Sequence, residues 1–104
     1  MADYAIVVFD VGKTNKKLLV YNSKLELLDS VYKSFPVRNQ QGVETEPIDE
    51  VELWLIENLR RFAREYAVRA VSVTTHGASF VCVGEDGEPN VPMLSYTHEP
   101  GDAF

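Results

Sequence analysis

The apolar positions of this chain fall into short runs between polar turns, with one stretch of helical spacing in the middle. Tyr4-Ala5-Ile6-Val7-Val8-Phe9 is continuously apolar, as in a strand covered on both faces. Lys16–Tyr21, centred on Leu18-Leu19-Val20, reads as its neighbour, and Asn22-Ser23 marks a turn. Leu25, Leu27 and Val31 then predict a third strand running to about Phe35, which completes a meander. Residues 36–46 are polar, include Gly42, and read as a loop. Pro47 suits a first helical position, where its missing N–H costs nothing, and Asp49 and Glu50 suit the positive end of a helix dipole. Ile48, Val51, Leu55, Leu59, Phe62 and Tyr66 follow at steps of three and four, so a helix is predicted over about Pro47–Tyr66 with a solvated face bearing Arg60, Arg61 and Arg64. Val68–Thr75 reads as a buried strand. Phe80–Val83 reads as another, Asp86-Gly87 as a hairpin turn, and Val91–Tyr96 as the returning strand.

The order strands, helix, strands predicts an α/β fold with a mixed sheet. A single long helix can cover only one face of that sheet. The chain is therefore expected to be part of a larger domain, or to bury the remaining face in a partner, and as a fragment it is expected to self-associate through its exposed apolar surface and unpaired edges. A length of 104 residues allows one small domain or a portion of one. The net charge of −6 and the pI near 4.8 argue against non-specific binding to nucleic acid or to an anionic membrane surface. No apolar run approaches the roughly 20 residues that span a bilayer, and the N-terminus lacks the pattern of a signal peptide, so a cytoplasmic location is expected. The lone cysteine, Cys82, sits in an apolar run and reads as a small core residue.

Candidate chemistry concentrates in Asp10-Val11-Gly12-Lys13-Thr14-Asn15-Lys16-Lys17, at the predicted turn between the first two strands. A carboxylate at a strand end can hold Mg²⁺ through water, because that ion keeps most of its hydration shell. Gly12 allows close approach of backbone to phosphate oxygens. Thr14 and Asn15 can donate to those oxygens, and Lys13 or Lys17 can neutralise charge that develops during transfer. The same residues also suit a plain hairpin in which Asp10 bonds backbone amides. Gly12-Lys13-Thr14 imitates the end of a P-loop, but that motif needs a glycine where Val7 stands and a helix directly afterwards. A second polar cluster, Thr74-Thr75-His76-Gly77, ends the strand after the helix and suits a polyhydroxylated ligand or an ordinary loop. Tyr96-Thr97-His98 forms a third, in which the tyrosine ring could stack on a sugar. His76, His98 and Cys82 match no zinc-ligand spacing.

Taken in order, these segments resemble the N-terminal part of the FGGY carbohydrate kinases. Those proteins open with a strand ending in Asp-x-Gly-Thr-x-Ser/Asn-x-Arg/Lys and a hairpin. Asp10, Gly12, Thr14, Asn15 and Lys17 match that pattern, with Lys13 in place of a Thr or Ser. Val71-Ser72-Val73-Thr74-Thr75-His76-Gly77 is similar to Ile-Ser-Gly-Gln-x-His-Gly, with Thr74 for the glutamine. Val83, Asp86, Gly87 and Pro89 match Val-x-x-Asp-Gly-x-Pro. Pro92 through Tyr96 and His98 resemble Pro-x-x-x-Trp-x-Asp, in the tyrosine form of the rhamnulokinase and fuculokinase group.

The resemblance implies a ribonuclease H-like (actin-like ATPase) fold, with residues 1–104 as an incomplete part of the first kinase domain. It implies transfer of the ATP γ-phosphoryl group to a hydroxyl of a ketose or deoxy-ketose. Asp10 would position Mg²⁺. Gly12, Lys13, Thr14, Asn15 and Lys17 would face the ATP phosphates, and Thr75, His76, Gly77, Tyr96 and His98 would line the sugar pocket. The catalytic base in this family lies downstream, so no catalytic residue is expected here and these residues alone should not turn over sugar. A non-catalytic nucleotide-binding or oligomerisation module of the same superfamily is the alternative.

Overall fold

The computed structural model describes residues 3–77 and 81–95. In chain order the elements are β1 (Ala5–Val11), β2 (Asn15–Asn22), β3 (Leu27–Ser34), β4 (Arg38–Gln40), β5 (Val43–Glu46), α1 (Ile48–Glu65), β6 (Val68–Thr75) and β7 (Met93–Leu94). They group into two units, Met1–Phe35 with Asp49–His76, and Pro36–Ile48 with Gly77–Phe104.

The first unit holds a four-stranded sheet in the order β3-β2-β1-β6. The meander β1-β2-β3 is antiparallel, and β6 runs parallel to β1. The period of two along β2 sets the layers: Lys16, Leu18 and Val20 are buried, whereas Lys17 is exposed and Leu19 half-buried. Leu18 and Val20 join Ala5 and Val7 of β1 and Phe62 of α1 in the core. Phe9, Val31, Trp54, Leu55, Leu59, Tyr66 and Val68 pack around them. The helical spacing read from the sequence therefore delivers the apolar face that covers the sheet. Phe35, just beyond β3, meets Trp54 edge-on at a centroid distance of 5.7 Å.

The end of α1 is fastened to β3 at one residue. Asp29 accepts a hydrogen bond from the Tyr66 hydroxyl at 3.3 Å and lies 3.8 Å from the Arg61 guanidinium. Arg61 also approaches Glu65 at 3.7 Å and stacks over the Phe62 ring. Of the three arginines, Arg60 and Arg64 are exposed, and Arg61 instead braces the helix against the sheet. At the β2–β3 turn, the Asn22 side chain accepts from the backbone N–H groups of Lys24 and Glu26, both at 2.9 Å.

Several expectations are corrected. Val68–Thr75 is a strand, but it is not buried: it lies at the edge of the sheet, with Val71 and Val73 48% and 60% exposed. An apolar run cannot say which strands lie beside it, and α1 packs over β1 and β2. Residues 36–46 are not one loop but the hairpin β4–β5. Its two-residue turn places Gln41 at φ 56° and Gly42 at φ 83°, the mirror-image turn that matches strand twist. The sequence signal was masked by glutamine, an uncommon residue at positive φ. The Asn39 side chain supports the turn by accepting from Gly42 N–H at 2.9 Å.

In the second unit β5 pairs antiparallel with both β4 and β7. Met93–Leu94 therefore pairs with β5 rather than returning along residues 80–83. Phe80 lies outside the described residues. The Asp86-Gly87 turn forms as read, with Gly87 at φ 82°, but it closes only an isolated bridge between Val83 and Pro89. Cys82 is exposed there, not a core residue. No helix among the described residues is long and apolar enough to cross a membrane.

Leu18 is fully buried, whereas Tyr32 on the neighbouring strand is 74% exposed. Leu18→Ala should lower unfolding stability by about 2–5 kcal/mol, and Tyr32→Ala by roughly 0.5 kcal/mol or less, in urea titrations. Burial, then the Asp29 charge, then the hydrogen bond to Asp29 raise the Tyr66 pKa above the usual tyrosine value. The folded state holds that proton more tightly. Its contribution should be intact below the ordinary tyrosine pKa and vanish as pH rises through the raised value. Alkaline titration of tyrosinate absorbance should show one late-ionising group that is missing in Tyr66→Phe.

Candidate functional site

The candidate site grows from the register of β1 against β2. Asp10 stands directly across from Lys17 on β2 and beside Thr74 on β6. Side chains of paired residues leave the sheet on the same side, so the carboxylate is flanked by an ammonium and a hydroxyl. Asp10 is partly exposed, and Lys17 is exposed. Among the described residues the Asp10 carboxylate makes no hydrogen bond or ion pair, so it is not a turn-capping aspartate. Asn15 and Lys17 share one face of β2 and, with Leu19, Ser30, Val31 and Tyr32, line an open hollow of about 420 Å³. A larger hollow of about 590 Å³ in the second unit is lined by Gln40, Gln41, Val43, Thr45 and Pro92, none of them titratable among the described residues.

The turn itself is tight. Gly12 N–H donates to Asn15 O at 3.0 Å, and a Cβ on Gly12 would lie 2.8 Å from that same backbone oxygen. Only glycine fits without a shift of the turn. Phe35 N–H donates to Thr14 O at 3.0 Å, which ties the tip to the end of β3. Ser34 Oγ donates to Asn15 Oδ1 at 2.6 Å. That bond uses the oxygen of the amide and leaves its NH₂ as the donor for an incoming anion. Thr14 is exposed at the tip. A strand follows the turn, so the P-loop is excluded on structure as it was on sequence.

Lys16 is the residue that sequence reasoning overlooked. It is only 3% exposed, and its Nζ donates to Lys13 O at 2.8 Å, so a buried cation braces the turn from beneath. The signal was present in the alternation, because Lys16 shares the inward face of β2 with Leu18 and Val20. Lys13 was expected to offer its side chain to a ligand; what the structure defines is its carbonyl, taken by Lys16.

At the end of β6, Thr75 is exposed and its Oγ1 lies 3.5 Å from His76 O. The His76 backbone N–H donates to Val11 O at 3.1 Å, and its ring Nδ1 lies 3.2 Å from the same oxygen. The structure thus brings His76 to the root of the Asp10–Lys17 hairpin. Gly77 is exposed, and a Cβ there would meet nothing within 4 Å, so packing does not demand glycine. Tyr96 and His98 lie outside the described residues. Among the described residues no three His, Cys, Asp or Glu side chains converge on a metal position.

Gly12→Ala tests the turn. Displacing Asn15 O should destabilise the chain by about 1–3 kcal/mol in urea unfolding and move the amide resonances of residues 12–17 far more than those of α1.

Three solved structures with this architecture are carbohydrate kinases. A carbohydrate kinase from Novosphingobium aromaticivorans superimposes with a TM-score of 0.88 at 23% identity, over 99% of this chain and 22% of its own. Gluconate kinase from Lactobacillus acidophilus gives 0.76 at 21% identity, over 89% of this chain and 20% of its own. Xylulose kinase from the same organism gives 0.74 at 21% identity, over 88% and 19%. The chain therefore spans about a fifth of the length of the kinases it matches. At these identities the likeness is one of fold, and the expected sugar-kinase architecture is met at that level. No protein-family profile and no curated protein matches the sequence.

Proposed function

We propose that this chain is the N-terminal part of the first domain of an ATP-dependent carbohydrate kinase, with the ribonuclease H-like fold, and that it supplies the phosphate-binding hairpin and one side of the sugar pocket. The observation that carries the reading is the tip of β1–β2. A partly exposed carboxylate lies between Lys17 and Thr74, above a turn with no room for a side chain at Gly12, in a fold shared with carbohydrate kinases.

The residues present fit a magnesium–phosphate group. One carboxylate is enough for an ion that takes the rest of its shell from water and phosphate oxygens. When bound, Mg²⁺ would neutralise phosphate charge. Asp10 would hold the ion through its water. Gly12 lets the backbone approach, and Thr14 and the Asn15 NH₂ donate to phosphate oxygens. Lys17 supplies a fixed positive charge opposite Asp10, and Lys13 adds a second beside the turn. In phosphoryl transfer such positioning and electrostatics carry most of the rate.

On the family pattern Thr75, His76, Gly77, Tyr96 and His98 are the residues assigned to sugar binding, and a ketose or deoxy-ketose fits the rhamnulokinase-like pattern. The catalytic base and the adenosine site belong to the remainder of the kinase. Its further strands pack on the exposed outer edge of β6. The protein is cytoplasmic in this reading.

The test is a coupled ADP-release assay on the protein in which this chain is joined to the rest of the kinase, against a panel of ketoses, deoxy-ketoses and polyols. Sugar-dependent release should appear with at least one of them, and Asp10→Asn should lower kcat by about 10²–10³-fold. Nucleotide binding without release on any sugar would replace this reading with a non-catalytic nucleotide-binding module.

A further inference from the structure

The peptide that joins Val11 to Gly12 is held from both sides. Its N–H, on Gly12, donates to Asn15 O at 3.0 Å and closes the hairpin. Its carbonyl, on Val11, receives two contacts from one residue: the His76 backbone N–H at 3.1 Å and the His76 ring Nδ1 at 3.2 Å. A carbonyl oxygen only accepts, and it has two lone pairs, so Nδ1 carries its proton and donates. The backbone bond continues the parallel β1–β6 ladder, in which Val11 stands beside Thr75, and almost any residue could make it. The ring bond requires a donor at the Nδ1 position.

The orientation of this peptide plane matters more than most. It directly follows Asp10, and its far side fixes the Gly12–Asn15 closure that leaves no room for a Cβ. Rotating the plane would break the closure and move the carboxylate together with the turn. The covering helix does not hold this end of the sheet: Thr74 and Thr75 on β6 are exposed, and so are Thr14 and Asn15 at the tip. Hydrogen bonds therefore fix the plane here, without cover from the helix.

We propose that His76 is a positioning residue for the phosphate-facing hairpin. Its Nδ1–H locks the Val11–Gly12 peptide plane, so that the end of β6 and the anion-binding tip of β1–β2 move as one body. A sugar bound at the end of β6 would then steady the hairpin that grips the phosphates. The inference deepens the kinase reading and rests on it for the identity of the ligand, but the lock itself is a property of the chain alone.

The experiment separates the two ring nitrogens. Asn places a side-chain N–H on Cγ, where Nδ1 sits, and Gln places one a bond further out, towards the Nε2 position. Long-range ¹H–¹⁵N spectra of the unsubstituted chain, recorded well above the usual imidazole pKa, should show the Nδ1–H tautomer. In His76→Ala and His76→Gln, hydrogen exchange at Gly12 N–H should accelerate about three- to tenfold, and Mg·ATP, followed through the Gly12–Asn15 amide shifts, should bind about three- to tenfold more weakly. His76→Asn should restore both to within about twofold of the unsubstituted chain.

A proton on Nε2 with none on Nδ1 overturns the proposal. So does rescue by Gln without rescue by Asn, or unchanged Gly12 exchange in His76→Ala. If the unsubstituted chain alone binds no Mg·ATP, the affinity comparison is made on the protein in which it is joined to the rest of the kinase. Absence of binding there overturns the phosphate reading, while the tautomer and the Gly12 exchange decide the positioning role without it. Should His76→Ala unfold, the Asn and Gln variants and the tautomer still decide.

Discussion

The register between β1 and β2 is the constraint on which the rest of this structure depends. Strand side chains alternate with a strict period of two, so a slip by one residue would send every side chain of β2 to the opposite face. In the observed register Leu18 and Val20 meet Phe62 in the core, and Lys17 faces outward across from Asp10. The hydrophobic demand of the core thus selects the polar arrangement at the tip. The turn enforces the same register from its other end, because Gly12 and Asn15 close it so tightly that no side chain fits at Gly12.

The two lysines side by side on β2 show how the constraint divides identical chemistry. Lys16 points inward, lays its stem along the core row and donates to Lys13 O, where it serves the turn. Lys17 points outward and serves the surface that Asp10 shares. A buried ammonium is costly unless its donors are met, so the inward lysine is committed to structure. The outward one stays hydrated and available to an anion.

The edge strand β6 has a different balance. It contributes Thr74 beside Asp10 and the His76 bond to Val11, yet Val71 and Val73 remain largely exposed. It carries one charged side chain, Arg69 near its start, and none from Ala70 to Thr75, whereas the opposite edge, β3, carries Asp29 and Lys33. Charges on an edge discourage further pairing, so the uncharged stretch from Ala70 to Thr75 is the part of β6 least guarded against it. The chain spans about a fifth of the length of the kinases sharing its fold.

The sequence by itself determined the meander, the single amphipathic helix and the concentration of chemistry at residues 10–17. These features rest on local rules: period two, steps of three and four, and glycine where backbones crowd. The Asp86-Gly87 turn was legible for the same reason. Tertiary structure alone decided what depends on neighbours distant in the chain. It placed β6 at an edge, so the same apolar run that reads as buried is exposed. It formed β4–β5 through a turn whose positive-φ glutamine gives little local signal, and it paired β7 with β5. It also brought His76 to Val11, sixty-five residues earlier, because a parallel pairing has no turn to announce its register. Local sequence can name the groups able to act, but only the pairing of β1 with β6 decides which of them touch.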